Sequence, residues 1–135
     1  MRNLRIPKNS YFCGKYLYNM KVRLNIKTEN CPFFDYYIEA EFPCAPRVGD
    51  IITADWDRVR DAIIRDGNVD QYLEYLSEDL RKWYLEPELH ETMEKPTFEQ
   101  LREGLYFGNL GKIESVTWVI EDGVARCETW VEELV

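Results

Sequence analysis

The chain has 135 residues, of which 45% are hydrophobic, 14% aromatic and 31% charged, and its 17 Lys and Arg against 25 Asp and Glu give a formal charge of −8. A chain of this size buries roughly two-thirds of its unfolded surface, enough for a core without disulfide or metal staples. Nineteen aromatics with only 7 Gly and 6 Pro exclude disorder, and no apolar run reaches the ~18–20 residues of a membrane helix.

The first element is read from strict alternation. Tyr18, Met20, Val22, Leu24 and Ile26 share one face, and Asn19, Lys21, Arg23, Asn25 and Lys27 share the other, which predicts a half-buried strand over 18–26. The pattern repeats over 34–42, with Phe34, Tyr36, Ile38, Ala40 and Phe42 against Asp35, Tyr37, Glu39 and Glu41. Turn formers in Thr28-Glu29-Asn30-Cys31-Pro32 join the two as a β-hairpin.

Pro46-Arg47-Val48-Gly49-Asp50 predicts a tight turn, and Ile51 to Ala54 a short third strand. From Asp55 or Asp57, either of them a suitable N-cap, the period becomes helical. Val59, Ala62 and Ile63 form the stripe, and Gly67 suits a left-handed C-terminal cap. A long helix over roughly 71–85 follows, capped by Asp70, striped by Tyr72, Leu73, Leu76, Leu80, Trp83 and Tyr84, and stopped by Pro87. Thr97 and Gln100 match a capping box for a third helix, with Phe98, Leu101 and Leu105 on its apolar face and Gly108 and Gly111 releasing the chain.

The end returns to β. Ile113–Glu121 and Val124–Glu133 flank Asp122-Gly123, the dipeptide of a two-residue type I′ hairpin. That turn sets Ile120 opposite Ala125, Trp118 opposite Cys127 and Val116 opposite Thr129 on an expected core face. It sets Val119 opposite Arg126, Thr117 opposite Glu128 and Ser115 opposite Trp130 on the other. The expected fold is α+β in the order β-β-β-α-α-α-β-β: a five-stranded antiparallel sheet or small partly open barrel, with a helical insertion over about 57–107 between strands 3 and 4. The expected organisation is one domain over residues 1–135. The Pro46–Asp50 turn resembles turns of small SH3-like barrels, a likeness of five residues.

Residues 1–27 carry seven basic and no acidic residues, for +7, and the remainder carries −15. A basic arm invites a nucleic-acid reading. Pairing the first two strands gives another, because it sets Lys27 opposite Asp35, Arg23 opposite Glu39 and Lys21 opposite Glu41, with Ile26 on Tyr36 and Leu24 on Ile38. Only Arg2, Arg5, Lys8 and Lys15 are then left for a phosphate partner, so nucleic acid is not the expected partner.

Asp55-Trp56-Asp57-Arg58-Val59 after an apolar strand resembles the nucleophile motif of haloacid-dehalogenase-type phosphatases, in which the first Asp attacks phosphorus and the second is acid/base beside Mg²⁺. The resemblance covers about nine residues, and that family's doubly wound core and later Lys and paired Asp have no counterpart here. Asp50, Asp55, Asp57 and Asp61 match no Ca²⁺ loop and are interleaved with Arg58, Arg60 and Arg65. Cys13, Cys31, Cys44, Cys127 and the sole His90 lack the close cysteine pairs of a zinc site, and a Cys-His nucleophile pair has only His90 to draw on. The expectation is therefore no metal, no cofactor and no catalytic residue.

What the stripes leave over is aromatic. Tyr11, Phe12, Tyr37, Trp56, Tyr106, Phe107 and Trp130 have no assigned place in the core. Exposed Tyr and Trp are enriched at interfaces. Tyr37, Trp56, Tyr106, Phe107 and Trp130 are thus the expected interaction surface of a non-catalytic protein-interaction or adaptor module, with a protein partner or a second copy bound. The alternative is a small ligand-binding protein or enzyme with an aromatic and Asp-lined pocket between sheet and helices. Met1-Arg2-Asn3-Leu4-Arg5 is followed by no apolar stretch of secretory type, so a cytosolic location with reduced cysteines is expected.

Overall fold

The computed structural model describes residues 20–29 and 34–134. Tyr18, the end of the expected hairpin turn, Tyr11, Phe12, Cys13, Cys31 and the four remaining cations of the basic arm lie outside the described residues.

Alternation builds the first two strands as expected. In β1 (Met20–Ile26) the residues Val22, Leu24 and Ile26 are buried, and in β2 (Tyr37–Phe42) Ile38, Ala40 and Phe42 are half-buried while Tyr37, Glu39 and Glu41 face out. The antiparallel register runs from Met20↔Phe42 to Asn25↔Tyr37, the register that opposite charges demanded. Arg23 Nε lies 3.6 Å from Glu39 Oε2. The expected pairing of Lys27 with Asp35 and of Ile26 with Tyr36 does not form as part of this ladder, which ends at Asn25↔Tyr37. Lys27 Nζ turns instead to Glu114 Oε1 at 3.0 Å.

The turn at 46–50 forms, with Arg47 N–H donating to Asp50 Oδ2 at 2.8 Å and Gly49 at φ +97°. It leads into β3 (Ile51–Thr53) and then α1 (Asp57–Arg65), which buries Val59, Ile63 and Ile64. Neither aspartate caps α1 as expected. Trp56 holds the N-cap position, and Asp55 Oδ1 accepts from the Asp57 N–H at 2.9 Å, closing a turn just ahead of the helix. Gly67, at φ +75°, follows the helix as expected.

The long second helix is broken. Residues Val69–Tyr75 form a 3₁₀ segment, Leu76 is extended, and α2 (Glu78–Leu85) restarts on Ser77, whose side chain accepts from Leu80 N–H. Leu76 makes a β-bridge to Leu105, so a tertiary pairing overrides a continuous helical stripe. Arg81 stabilises the break by donating from Nε to Leu73 O at 3.0 Å and from Nη2 to Leu76 O at 3.1 Å, carbonyls that a helix would have used internally. Pro87 begins a further 3₁₀ turn, Pro87–Leu89.

The capping box opens α3 (Phe98–Gly104) as expected, with Gln100 N–H donating to Thr97 Oγ1 and Thr97 N–H to Gln100 Oε1. Thr97→Ala should cost about 1 kcal/mol in urea denaturation, and Thr97→Ser should restore most of it. Leu101 and Leu105 are buried, but Phe98, the first residue of α3, is exposed. Gly111 does not release the chain. It lies inside β4 (Leu110–Glu121), where a Cβ would sit 2.5 Å from Val131 Cγ1, so the glycine permits close strand packing.

β4 turns through Asp122 and Gly123, both at positive φ, into β5 (Val124–Glu133). All six expected cross-strand pairs form, with a bulge between Ile113 and Ser115. The expected core face extends past the core, however. Cys127 and Thr129 are buried and Val116 half-buried, whereas Trp118, Ile120 and Ala125 are exposed at the hairpin tip, where no helix among the described residues covers the sheet.

The sheet order is β2-β1-β5-β4-β3, a half-open barrel with the helices inserted between β3 and β4. It is mixed rather than wholly antiparallel, since β1 pairs with β5 in parallel from Val22↔Cys127 to Ile26↔Val131. Parallel neighbours cannot be joined by a hairpin, and here the chain passes from β2 at one edge to β3 at the other before the helices, β4 and β5 follow. The core lies between this sheet and the helices, around Ile63, Leu105, Ile113, Val22 and Val131.

Candidate interaction surface

The face of the sheet opposite the core gathers aromatic and charged residues. Asn25 pairs with Tyr37 on one side and Trp130 on the other, and Trp130 pairs with Ser115, so the four form one row across four strands. The next row is Glu39, Arg23, Glu128 and Thr117. Residues directly paired across strands share a face, so two rows of this kind make a patch.

The patch is fixed from beneath. Glu128 is buried, its Oε2 accepting from Arg126 Nε at 2.6 Å and from Arg23 Nη1 at 3.4 Å, and its Oε1 from Asn25 Nδ2 at 3.1 Å. Asn25 Nδ2 also donates to Thr129 O at 3.0 Å. Arg126 donates from Nη1 to Glu121 Oε1 at 2.6 Å, and these two carboxylate partners hold its guanidinium pKa above the usual value. The Arg23 guanidinium lies 4.3 Å over the Tyr37 ring, and Phe34 stacks on Trp130 at 4.7 Å. Two buried atoms of this network, Arg23 Nε and Asn25 Oδ1, have no hydrogen-bond partner among the described residues, although Arg23 Nε keeps the Glu39 carboxylate as an ion-pair partner at 3.6 Å.

The five expected surface residues separate into two places. Tyr37 is 38% exposed and Trp130 half-buried in the patch just described. Trp56 and Phe107 are 5% and 4% exposed, both core residues rather than surface ones. Phe107 meets the Tyr75 ring edge-on at 4.8 Å and the Tyr72 ring at 6.1 Å. Tyr106, between them in the fold, is 67% exposed at the edge of a small hollow of about 60 Å³ lined also by Trp56, Arg60 and Asn109. Sequence reasoning missed Asn25, Glu128, Arg126 and Phe34, whose polarity or position had assigned them elsewhere. The available signal was the pairing itself, which had already set Tyr37 beside Asn25.

Aspartates of the Asp50–Asp61 segment are engaged by cations of α1 and α3. Asp57 pairs with Arg60 at 3.4 Å, and Asp61 Oδ1 pairs with Arg60 at 3.2 Å and Arg102 at 3.1 Å. Among the described residues no group of three or more His, Cys, Asp or Glu side chains is placed to hold a metal ion. Cys127 is buried in the sheet, and burial pushes its thiol pKa up, away from the reactive thiolate. His90 stacks on Trp83 at 3.8 Å beside a cleft of about 310 Å³. A second groove, of about 420 Å³, runs between β2 and α1 and is lined by Asp35, Tyr36, Tyr37, Glu39 and Arg58 among others. No helix among the described residues is long and apolar enough to cross a membrane. The chain is thus a small α+β protein with a surface aromatic cluster. Comparison with family models, curated proteins and solved structures gives no match.

Proposed function

We propose that the chain is a non-catalytic, cytosolic protein-interaction module that meets a protein partner through the sheet face around Tyr37 and Trp130. The observation that carries this reading is the row Tyr37–Asn25–Trp130, with Arg23 over one ring and Phe34 on the other. Tyr, Trp and Arg dominate binding energy at interfaces, and rings already held in place lose little entropy on binding. Glu39 within the patch and Glu41 beside it oppose a phosphate backbone.

A photo-crosslinking residue at position 39 of the full chain should capture one partner in cells, and one at position 106 should not. Tyr37→Ser should abolish capture from position 39 while leaving the melting temperature unchanged. Equal capture at both positions, or capture indifferent to Tyr37→Ser, overturns the reading. The groove between β2 and α1 favours a second reading, a small-ligand site sharing Tyr37. Arg58→Ala would abolish such ligand binding and leave crosslinking from position 39 intact, which separates the two.

A further inference from the structure

The longest strand has an open edge. β3 pairs with β4 only from Leu110 to Lys112, and the last backbone bonds on that side are those of Ile113 with Gly49 and Asp50. Among the described residues no strand pairs with this side of β4 from Glu114 to Glu121. The pair flanking a two-residue hairpin turn exchanges its backbone bonds, and antiparallel pairs then alternate. Counting back from Glu121↔Val124, the N–H and C=O groups of Ile120, Trp118 and Val116 point outward to the open edge.

Edges of this kind are ordinarily protected by charge, proline or a covering element. Ser115-Val116-Thr117-Trp118-Val119-Ile120 contains no charge, Pro or Gly, and Trp118 and Ile120 are 49% and 70% exposed. The acids at its two ends are already matched within the chain, Glu114 by Lys27 at 3.0 Å and Glu121 by Arg126 at 2.6 Å. On a chain of charge −8 this is an uncharged strip.

We infer that the β4 edge pairs with the β4 edge of a second copy, joining the two sheets antiparallel about a two-fold axis. The strip is self-complementary in one register. An axis through Trp118 sets that residue against its own copy, and Val116 against Ile120, all three with outward backbone groups that can exchange hydrogen bonds. Thr117 then meets Val119, whose backbone groups face β5 in each copy. The exposed Trp118 and Ile120 of the hairpin tip and the half-buried Val116 become one continuous apolar stripe across the joint. This surface is separate from the Tyr37–Trp130 patch and does not rest on the proposed partner.

The test is sedimentation equilibrium of the full chain from micromolar to millimolar concentration. A dimer is expected whose population rises with concentration and with added salt, because salt screens the repulsion between two acidic chains. Trp118→Lys and Ile120→Lys should each weaken it by at least about tenfold, the first because the lysine meets its own copy and the second because it sets a charge against Val116, with circular dichroism and melting unchanged. Val116→Pro, which removes only an N–H facing the open edge, should do the same. A monomer at every concentration and salt overturns the inference, as does a dimer indifferent to the lysine variants. A dimer lost in Tyr37→Ser but kept in Trp118→Lys also overturns it and assigns self-association to the aromatic patch.

Discussion

Replacing Trp56 by alanine is expected to destabilise the protein by about 4 kcal/mol, the cost of removing a large buried aromatic and leaving a cavity. Trp56 is almost wholly buried where α1 starts, beside Leu105 and Phe107, and its carbonyl accepts the Arg60 N–H at 2.9 Å. Two kinds of order therefore meet at this residue: the start of α1 and the packing of the α3–β4 junction. Tyr106→Ala, in the same neighbourhood but exposed, should stay within about 0.5 kcal/mol. Urea denaturation with an unchanged slope decides between them. A Trp56→Ala cost below about 1 kcal/mol would return Trp56 to the surface set that its sequence context suggested.

Glu128→Ala is the second large effect, expected at about 2–3 kcal/mol. Removing one partner of a fully buried ion pair costs about 3–5 kcal/mol. Here Arg23 and Arg126 are partly exposed, so water recovers some of that loss. The remainder arises because one carboxylate serves three donors, and Asn25 Nδ2 would keep only Thr129 O. Glu128→Gln keeps the shape and should cost less. The double variant Arg126→Met with Glu128→Met should recover part of the stability, as apolar replacements of buried ion pairs do, while Arg23 and Asn25 still lose an acceptor. If Glu128→Ala unfolds at the wild-type urea midpoint, the network does not hold the sheet face together, and the preorganised patch loses its support.

The two hairpins were legible because their determinants are local. Alternation tells which residues share a face, opposite charges at 21, 23, 39 and 41 choose the register, and Asp122-Gly123 supplies the two positive φ angles that a type I′ turn needs. Thr97 and Gln100 were equally legible, since a capping box is closed within four residues. The long helix was not. Its stripe is continuous through Leu76, and nothing within the segment announces that Leu76 will be drawn into a bridge with Leu105.

The candidate surface was half legible for the same reason. Tyr37 and Trp130 were found because alternation placed them opposite the core, and that holds. Trp56 and Phe107 stand outside any periodic stripe, and a residue in a link between elements carries no period from which its burial can be read. Asn25 and Glu128 are polar residues on the face read as solvent, yet they are buried, because Arg23 and Arg126 converge on Glu128 from two different strands.

The sequence by itself determined the strands, the two capped and terminated helices at either end of the insertion, most of the two hairpin registers and the place of the helical insertion. These follow from periods of 2 and 3.6 and from turn and cap chemistry, which act over a few residues. The tertiary structure alone decided that β5 lies parallel to β1, that the helices stop short of the Trp118–Ile120 tip, and that β3 leaves most of the β4 edge open. Each of these depends on which distant element comes to lie against a face or an edge. A one-dimensional pattern shows that a face exists, but only packing shows whether it is covered.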